Sequence, residues 1–163
     1  WLFGKLAIIK SQNYKHAKSS GIEEHIARKL AFAPHINIGV FSLEKSSKCW
    51  EIWQENLKKT LAKGKIFGSE GLAINIAVYH NNVDVEFLPL KCNWITSHLL
   101  PKYDDKNNIF VEPYLPNEKI GIIHLAAGIW QGEKDMRLNK DIKINISTLD
   151  GKKVKKSLRF GVI

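Results

Sequence analysis

Apolar residues recur at Ile22, Ile26 and Leu30, a spacing that lays one stripe along a helix. Pro34 is predicted to stop that helix, because the residue before a proline is pushed out of the α region. Residues 36–43 then alternate in a β-rich manner and predict a buried strand. The most strongly patterned helix follows, with Trp50, Trp53, Leu57 and Leu61 on one face. Ser46 or Ser47 can cap it. Lys58, Lys59 and Lys63 suit the negative end of its dipole, and Gly64 closes it. A further helix opens at Ser69 as N-cap with Glu70 in the first turn. It carries Leu72, Ala73, Ile76 and Ala77 and closes at His80-Asn81-Asn82.

Residues 83–88 predict a short strand ended by Pro89, and residues 120–125 a compact apolar strand. Between them, residues 91–119 hold three prolines and the polar run Asp104-Asp105-Lys106-Asn107-Asn108 and predict an irregular segment. A connection that long inside a domain is usually functional or mobile. The Lys-rich residues 8–20 predict an irregular lead-in. Near the other end, I-K-I-N-I-S-T-L and K-V-K-K-S-L-R-F flank Asp150-Gly151, a β-hairpin signal. Strands interleaved with helices indicate an α/β class.

Composition narrows this picture. A chain of 163 residues that is 44% apolar can bury a sizeable core. No apolar run approaches the roughly 20 residues a bilayer span needs, so no transmembrane segment is expected. Trp1 follows no Met and no signal-peptide pattern, which reads as the interior of a longer parent. Cys49 and Cys92 lie far apart with no C-x-x-C spacing, the usage of two free thiols in a reducing cytoplasm. The net charge of +9, mostly from lysine, favours anionic partners such as nucleotide diphosphates, acidic lipid headgroups or nucleic acid. A merely solubilising surface fits the same balance.

Several chemistries lack their signatures. The chain has no H-E-x-x-H, no G-x-G-x-x-G, no G-x-x-x-x-G-K-[ST] and no G-x-S-x-G, and its six histidines show no zinc spacing. What it does hold, between residues 34 and 128, is an ordered series: P-H-I-N-I-G-V-F, S-E-G-L-A-I-N, L-P-L-K-C-N-W and I-I-H-L-A-A-G. In order and interval the series resembles the second half of a nucleotide-sugar glycosyltransferase of the GT-A fold, similar to glycosyltransferase family 8.

The resemblance implies roles. Asn37 and Gly39 look like the family's Asn-Ser-Gly strand beside donor and acceptor, with Ile38 in the middle place. Glu70 stands at the family's acidic position facing the transferred sugar, and Asn75 closes that motif. Gly71 stands where the family has Gln. Asn93 resembles the Asn of the L-P-x-x-x-N turn toward the acceptor, and Trp94 beside it is either a sugar-stacking ring or core. His124, at the end of Ile122-Ile123-His124, resembles the histidine that joins an acid pair in holding Mn²⁺ or Mg²⁺, with Gly128 in the turn behind it. The family's Asp-x-Asp has no counterpart. Asp84-Val85-Glu86 reads as a solvated strand face, and Glu133-Lys134-Asp135 also lies in the wrong place.

The expected fold is therefore α/β, a partial GT-A mixed sheet with flanking helices and a C-terminal β-hairpin. The expected divisions are a lead-in at 1–20, the transferase-like half at 21–130 and the hairpin extension at 131–163. The expected function is transfer of a sugar from a nucleotide-sugar donor to an acceptor glycan or lipid-linked acceptor, metal-assisted, with this chain alone inactive or nearly so. A half-fold with bare sheet edges would self-associate as a homo-oligomer. Two other readings stay open: a non-catalytic domain of the same fold that binds a glycan or protein partner, and a basic nucleic-acid-binding domain resting on Lys152, Lys153, Lys155 and Lys156.

Overall fold

The computed structural model describes residues 2–66, 68–125 and 142–159. Among these, four helices and three two-stranded sheets give a mixed α/β architecture. The helices α1 (Leu2–Ser19), α2 (Glu24–Phe32), α3 (Cys49–Lys63) and α4 (Ser69–Tyr79) belong to one unit, Trp1–Glu86. The strands β1 (Trp94–Ile95), β2 (Lys102–Asp104), β3 (Ile109–Val111), β4 (Ile123–His124), β5 (Ile144–Ser147) and β6 (Lys153–Lys156) belong to a second, Phe87–Ile163. No described helix is long and apolar enough to cross a membrane.

In the first unit the predicted stripe of α2 does pack inward. Ile26 and Leu30 join Ala17 of α1 and Leu72 and Ile76 of α4 in one buried cluster. Each Ile or Leu side chain contributes about 1.5–3 kcal/mol when fully withdrawn from water. Ala33 ends α2 in an extended conformation (φ −67°, ψ 154°), as a residue ahead of Pro34 must. The Lys-rich residues 8–20 are helical up to Ser19, not irregular. Lys15 and Lys18 point to solvent while Ala17 is buried, and lysine and alanine are both good helix formers, so the charge does not oppose the helix.

Helix α3 begins and ends close to where the sequence predicts, but a different face turns inward. Its buried residues are Cys49, Asn56 and Thr60. Trp50 and Leu61 are each 41% exposed. The polar contact with α4 works because each group is satisfied: Asn56 Nδ2 donates to Asn81 Oδ1 at 2.8 Å, and Thr60 Oγ1 donates to Leu57 O at 3.0 Å.

Residues 36–43 form a turn and irregular chain rather than the predicted buried strand. No strand pairs with them among the described residues, and side chains take the backbone groups of Ile36 and of Pro34 just ahead of the segment. Asn75 accepts from Ile36 N at 3.0 Å and donates to Ile36 O at 3.1 Å, while Tyr79 donates to Pro34 O at 2.6 Å. Residues 83–88 are likewise not a strand; Asp84 and Glu86 are exposed, close to the boundary of the unit.

In the second unit the segment predicted to be irregular contains β1 and the β2–β3 hairpin. Asp104 organises the hairpin turn by accepting from Lys106 N and Asn107 N at 3.1 and 3.2 Å. The apolar strand expected at 120–125 is shorter, reduced to β4, which pairs in parallel with β1. The Asp150-Gly151 hairpin forms as expected, with Gly151 at φ 86°, a conformation that glycine adopts without strain. Its inner residues Ile144 and Ile146 pack with Tyr103 and Leu158 as the core of this unit.

Candidate functional site

Helix α4 and the 36–39 turn build the first group. Gly68 (φ 85°) lets the chain turn sharply into α4, which puts Glu70 in the first turn, where a carboxylate suits the positive end of the helix dipole. Trp53 of α3 donates its indole N–H to Glu70 O at 3.0 Å and fixes that turn. Asn75, one helical turn further on, is 4% exposed, and its amide is spent on Ile36 and on Gly71 O at 2.8 Å. Asn75 is thus a positioning residue that clamps the turn carrying Asn37. Within that turn Gly39 N donates to Asn37 Oδ1 at 2.9 Å.

The result is a cleft of about 390 Å³ on whose wall Asn37, Glu70, Gly71 and Asn75 meet. A Cβ on Gly71 would touch nothing within 4 Å. Four further polar residues line the same cleft without having been singled out from the sequence: Gln12, Asn13, His16 and His35. The first three sit at i, i+1 and i+4 on α1, so reading residues 8–20 as a helix would have brought them onto one face. His35 opens to solvent. Desolvation by its neighbours, and then the nearby His16, still hold its pKa below the ordinary imidazole value.

The second group lies in the other unit. A short 3₁₀ turn, Leu90–Cys92, delivers Asn93 to the start of β1. The parallel pairing of Trp94 with Ile123 and of Ile95 with His124 brings the two motifs together. His124 Nδ1 lies 2.9 Å from Asn93 Oδ1, 31 residues away in sequence. Since the amide oxygen can only accept, Nδ1 carries the proton, and a neutral ring presents its lone pair at Nε2. Trp94 does not offer a stacking face. It is 5% exposed, donates Nε1–H to Leu99 O at 2.8 Å and packs against Tyr114, so its ring anchors the strand that holds Asn93.

Glu70 and His124 belong to different units. Gly128 and Glu133-Lys134-Asp135 lie outside the described residues. Among those described, no group of three or more His, Cys, Asp or Glu side chains could hold a metal ion. His124 alone does not fit the shell that Mn²⁺ or Mg²⁺ would need. The C-terminal lysines are partly engaged within their hairpin: Lys152 pairs with Asp150 at 2.8 Å, Lys153 donates to Ser147 Oγ at 2.6 Å, and Lys156 lies over the Tyr103 ring at 4.4 Å. No protein-family model, curated protein or solved structure matches this chain.

Proposed function

We propose that this chain serves sugar transfer from a nucleotide-sugar donor, as part of a GT-A-like glycosyltransferase. One observation carries the reading: Asn75 bonds both backbone groups of Ile36 across 39 residues of sequence, which sets Asn37 and Glu70 on the wall of one cleft. Those residues come from two separate motifs of the family resemblance. Transfer of a glycosyl group develops positive charge on the sugar ring, and a carboxylate at Glu70 is the group suited to stabilise it. Asn37 is suited to bond a sugar hydroxyl. In the other unit, His124 has its tautomer set by Asn93, with Nε2 as the atom left to meet an anionic oxygen or a cation.

A second reading is a glycan-binding domain of the same fold that performs no transfer. Gly71 in the family's Gln position favours it, since no side chain there can reach the anomeric carbon. Nucleoside diphosphate release, measured over a panel of UDP- and GDP-sugars with Mn²⁺, separates the two. Transfer predicts release that falls about a hundredfold or more in Glu70→Gln, the scale expected when a transition-state charge stabiliser is removed. Sugar binding without release from any donor would establish the second reading, and neither binding nor release would defeat both.

A further inference from the structure

The chain has 25 Lys and Arg, yet none of those among the described residues lines the cleft of the first unit. Among the described residues its polar wall consists of the carboxamides of Gln12, Asn13, Asn37 and Asn75, the imidazoles of His16 and His35, and one carboxylate, Glu70. A protein with a net charge of +9 has many better places for an anion than a wall whose one formal charge among the described residues is negative. Carboxamides and imidazoles each offer donors and acceptors, which is what a ligand dense in hydroxyl groups requires. We propose that this cleft binds an uncharged sugar unit, with Gln12, Asn13, His16 and His35 bonding its hydroxyls beside Glu70 and Asn37.

Three further observations point the same way. The volume of about 390 Å³ falls in the range of small-ligand sites. His16 lines this wall, and its Nε2 is buried with no hydrogen-bond partner among the described residues. The lowered pKa of His35 keeps its ring neutral near pH 7, a donor–acceptor pair rather than a cation that would recruit phosphate. Two imidazoles and a carboxylate could suggest a metal, but these side chains do not form a group able to hold one. The inference rests on the transferase reading only in sharing Glu70 and Asn37. It adds the α1 face and His35, and with them a preference for neutral over anionic ligands.

Titration of the full chain with methyl glucoside and methyl galactoside, followed by NMR of side-chain amides and imidazoles, tests the proposal. Methyl glucuronide and pyrophosphate serve as the anionic arms. A neutral glycoside is expected to shift the Gln12 and Asn13 amide signals and the His16 and His35 ring signals, with the anions binding more weakly. Gln12→Ala and His35→Ala should each weaken glycoside binding about fivefold, the worth of one uncharged hydrogen bond. Gln12 is exposed, so its variant keeps the fold even if His35→Ala does not, and circular dichroism checks both. Silence of these signals toward both glycosides, or anions binding as tightly as glycosides, would overturn the proposal. Glycoside binding without nucleotide-sugar turnover would sink only the transfer reading. Turnover with a silent cleft would sink only this one.

Discussion

Nδ1 of His124 lies 2.9 Å from Oδ1 of Asn93, across the parallel pair β1–β4. The bond makes Asn93 the residue that decides which imidazole nitrogen carries the proton. In ¹⁵N NMR above the imidazole pKa, His124 is expected to show a protonated Nδ1 and a pyridine-like Nε2. Asn93→Ala should shift the ring toward a mixture of tautomers and cost about 0.5–1.5 kcal/mol in urea unfolding, the net worth of one such bond. An unchanged tautomer in Asn93→Ala would show that another group orients the ring.

Asn75 makes a stronger prediction, because its three amide bonds are all to backbone and the residue is 4% exposed. Asn75→Ala strands the N–H and C=O of Ile36 together. Leaving partly buried groups unpaired costs roughly 1–3 kcal/mol each, so the loss should reach about 2–4 kcal/mol by denaturant titration. Glycoside binding to the cleft should fall with it, since the turn holding Asn37 loses its clamp. A variant that is destabilised but binds normally would mean that Asn37 is positioned by other contacts.

The residues also show where sequence pattern was a sufficient guide and where it was not. Ile26 and Leu30 were legible because α2 packs by its apolar stripe alone, and the β5–β6 hairpin because Asp150-Gly151 states its own turn. Residues 36–43 look like a strand, but a strand needs a neighbouring ladder; Asn75 takes the backbone groups of Ile36 instead, and Tyr79 bonds Pro34 just ahead of the segment. Local alternation carries no information about side chains some 40 positions away. Helix α3 misled for a related reason: Asn56 and Thr60 count as polar in any pattern, yet Asn81 and Leu57 O satisfy them inside. Of the candidate site, Glu70 and Asn37 could be seen in the motifs. The α1 wall could not, because its lysines hid a helix whose other side carries Gln12, Asn13 and His16.

Two glycines in the first unit should respond to alanine with opposite signs. At Gly71 an added Cβ meets nothing within 4 Å, and the residue sits within α4. Gly71→Ala should therefore stabilise the protein by about 0.5–1 kcal/mol, the entropic cost of glycine in a helix. At Gly64 the added Cβ would lie 2.3 Å from Thr60 O and 2.5 Å from Ser20 Oγ. Gly64→Ala should destabilise by about 1–3 kcal/mol, the range for overpacking. Thermal unfolding of the two variants side by side measures both; equal shifts would mean that the α3 C-terminus relaxes freely.

Asp150 gives the hairpin a pH dependence whose direction follows from its partners. The Lys152 ammonium 2.8 Å away, then the Thr148 hydroxyl, hold its carboxyl down to about 2 from an ordinary 3.8. A folded-state pKa below the unfolded one means that the unfolded chain binds the proton more readily. The contribution is therefore fully present above the ordinary carboxylate pKa and fades as pH falls through about 2. The side chain is exposed, so salt should screen the Lys152 part of it. The expected result is an Asp150 carboxyl that titrates near 2 by ¹³C NMR at low salt and higher in strong salt. In Asp150→Asn, urea midpoints should lose part of their decline over the acid range. An Asp150 titration at the ordinary carboxylate value would show that Lys152 and Thr148 do not hold it in solution.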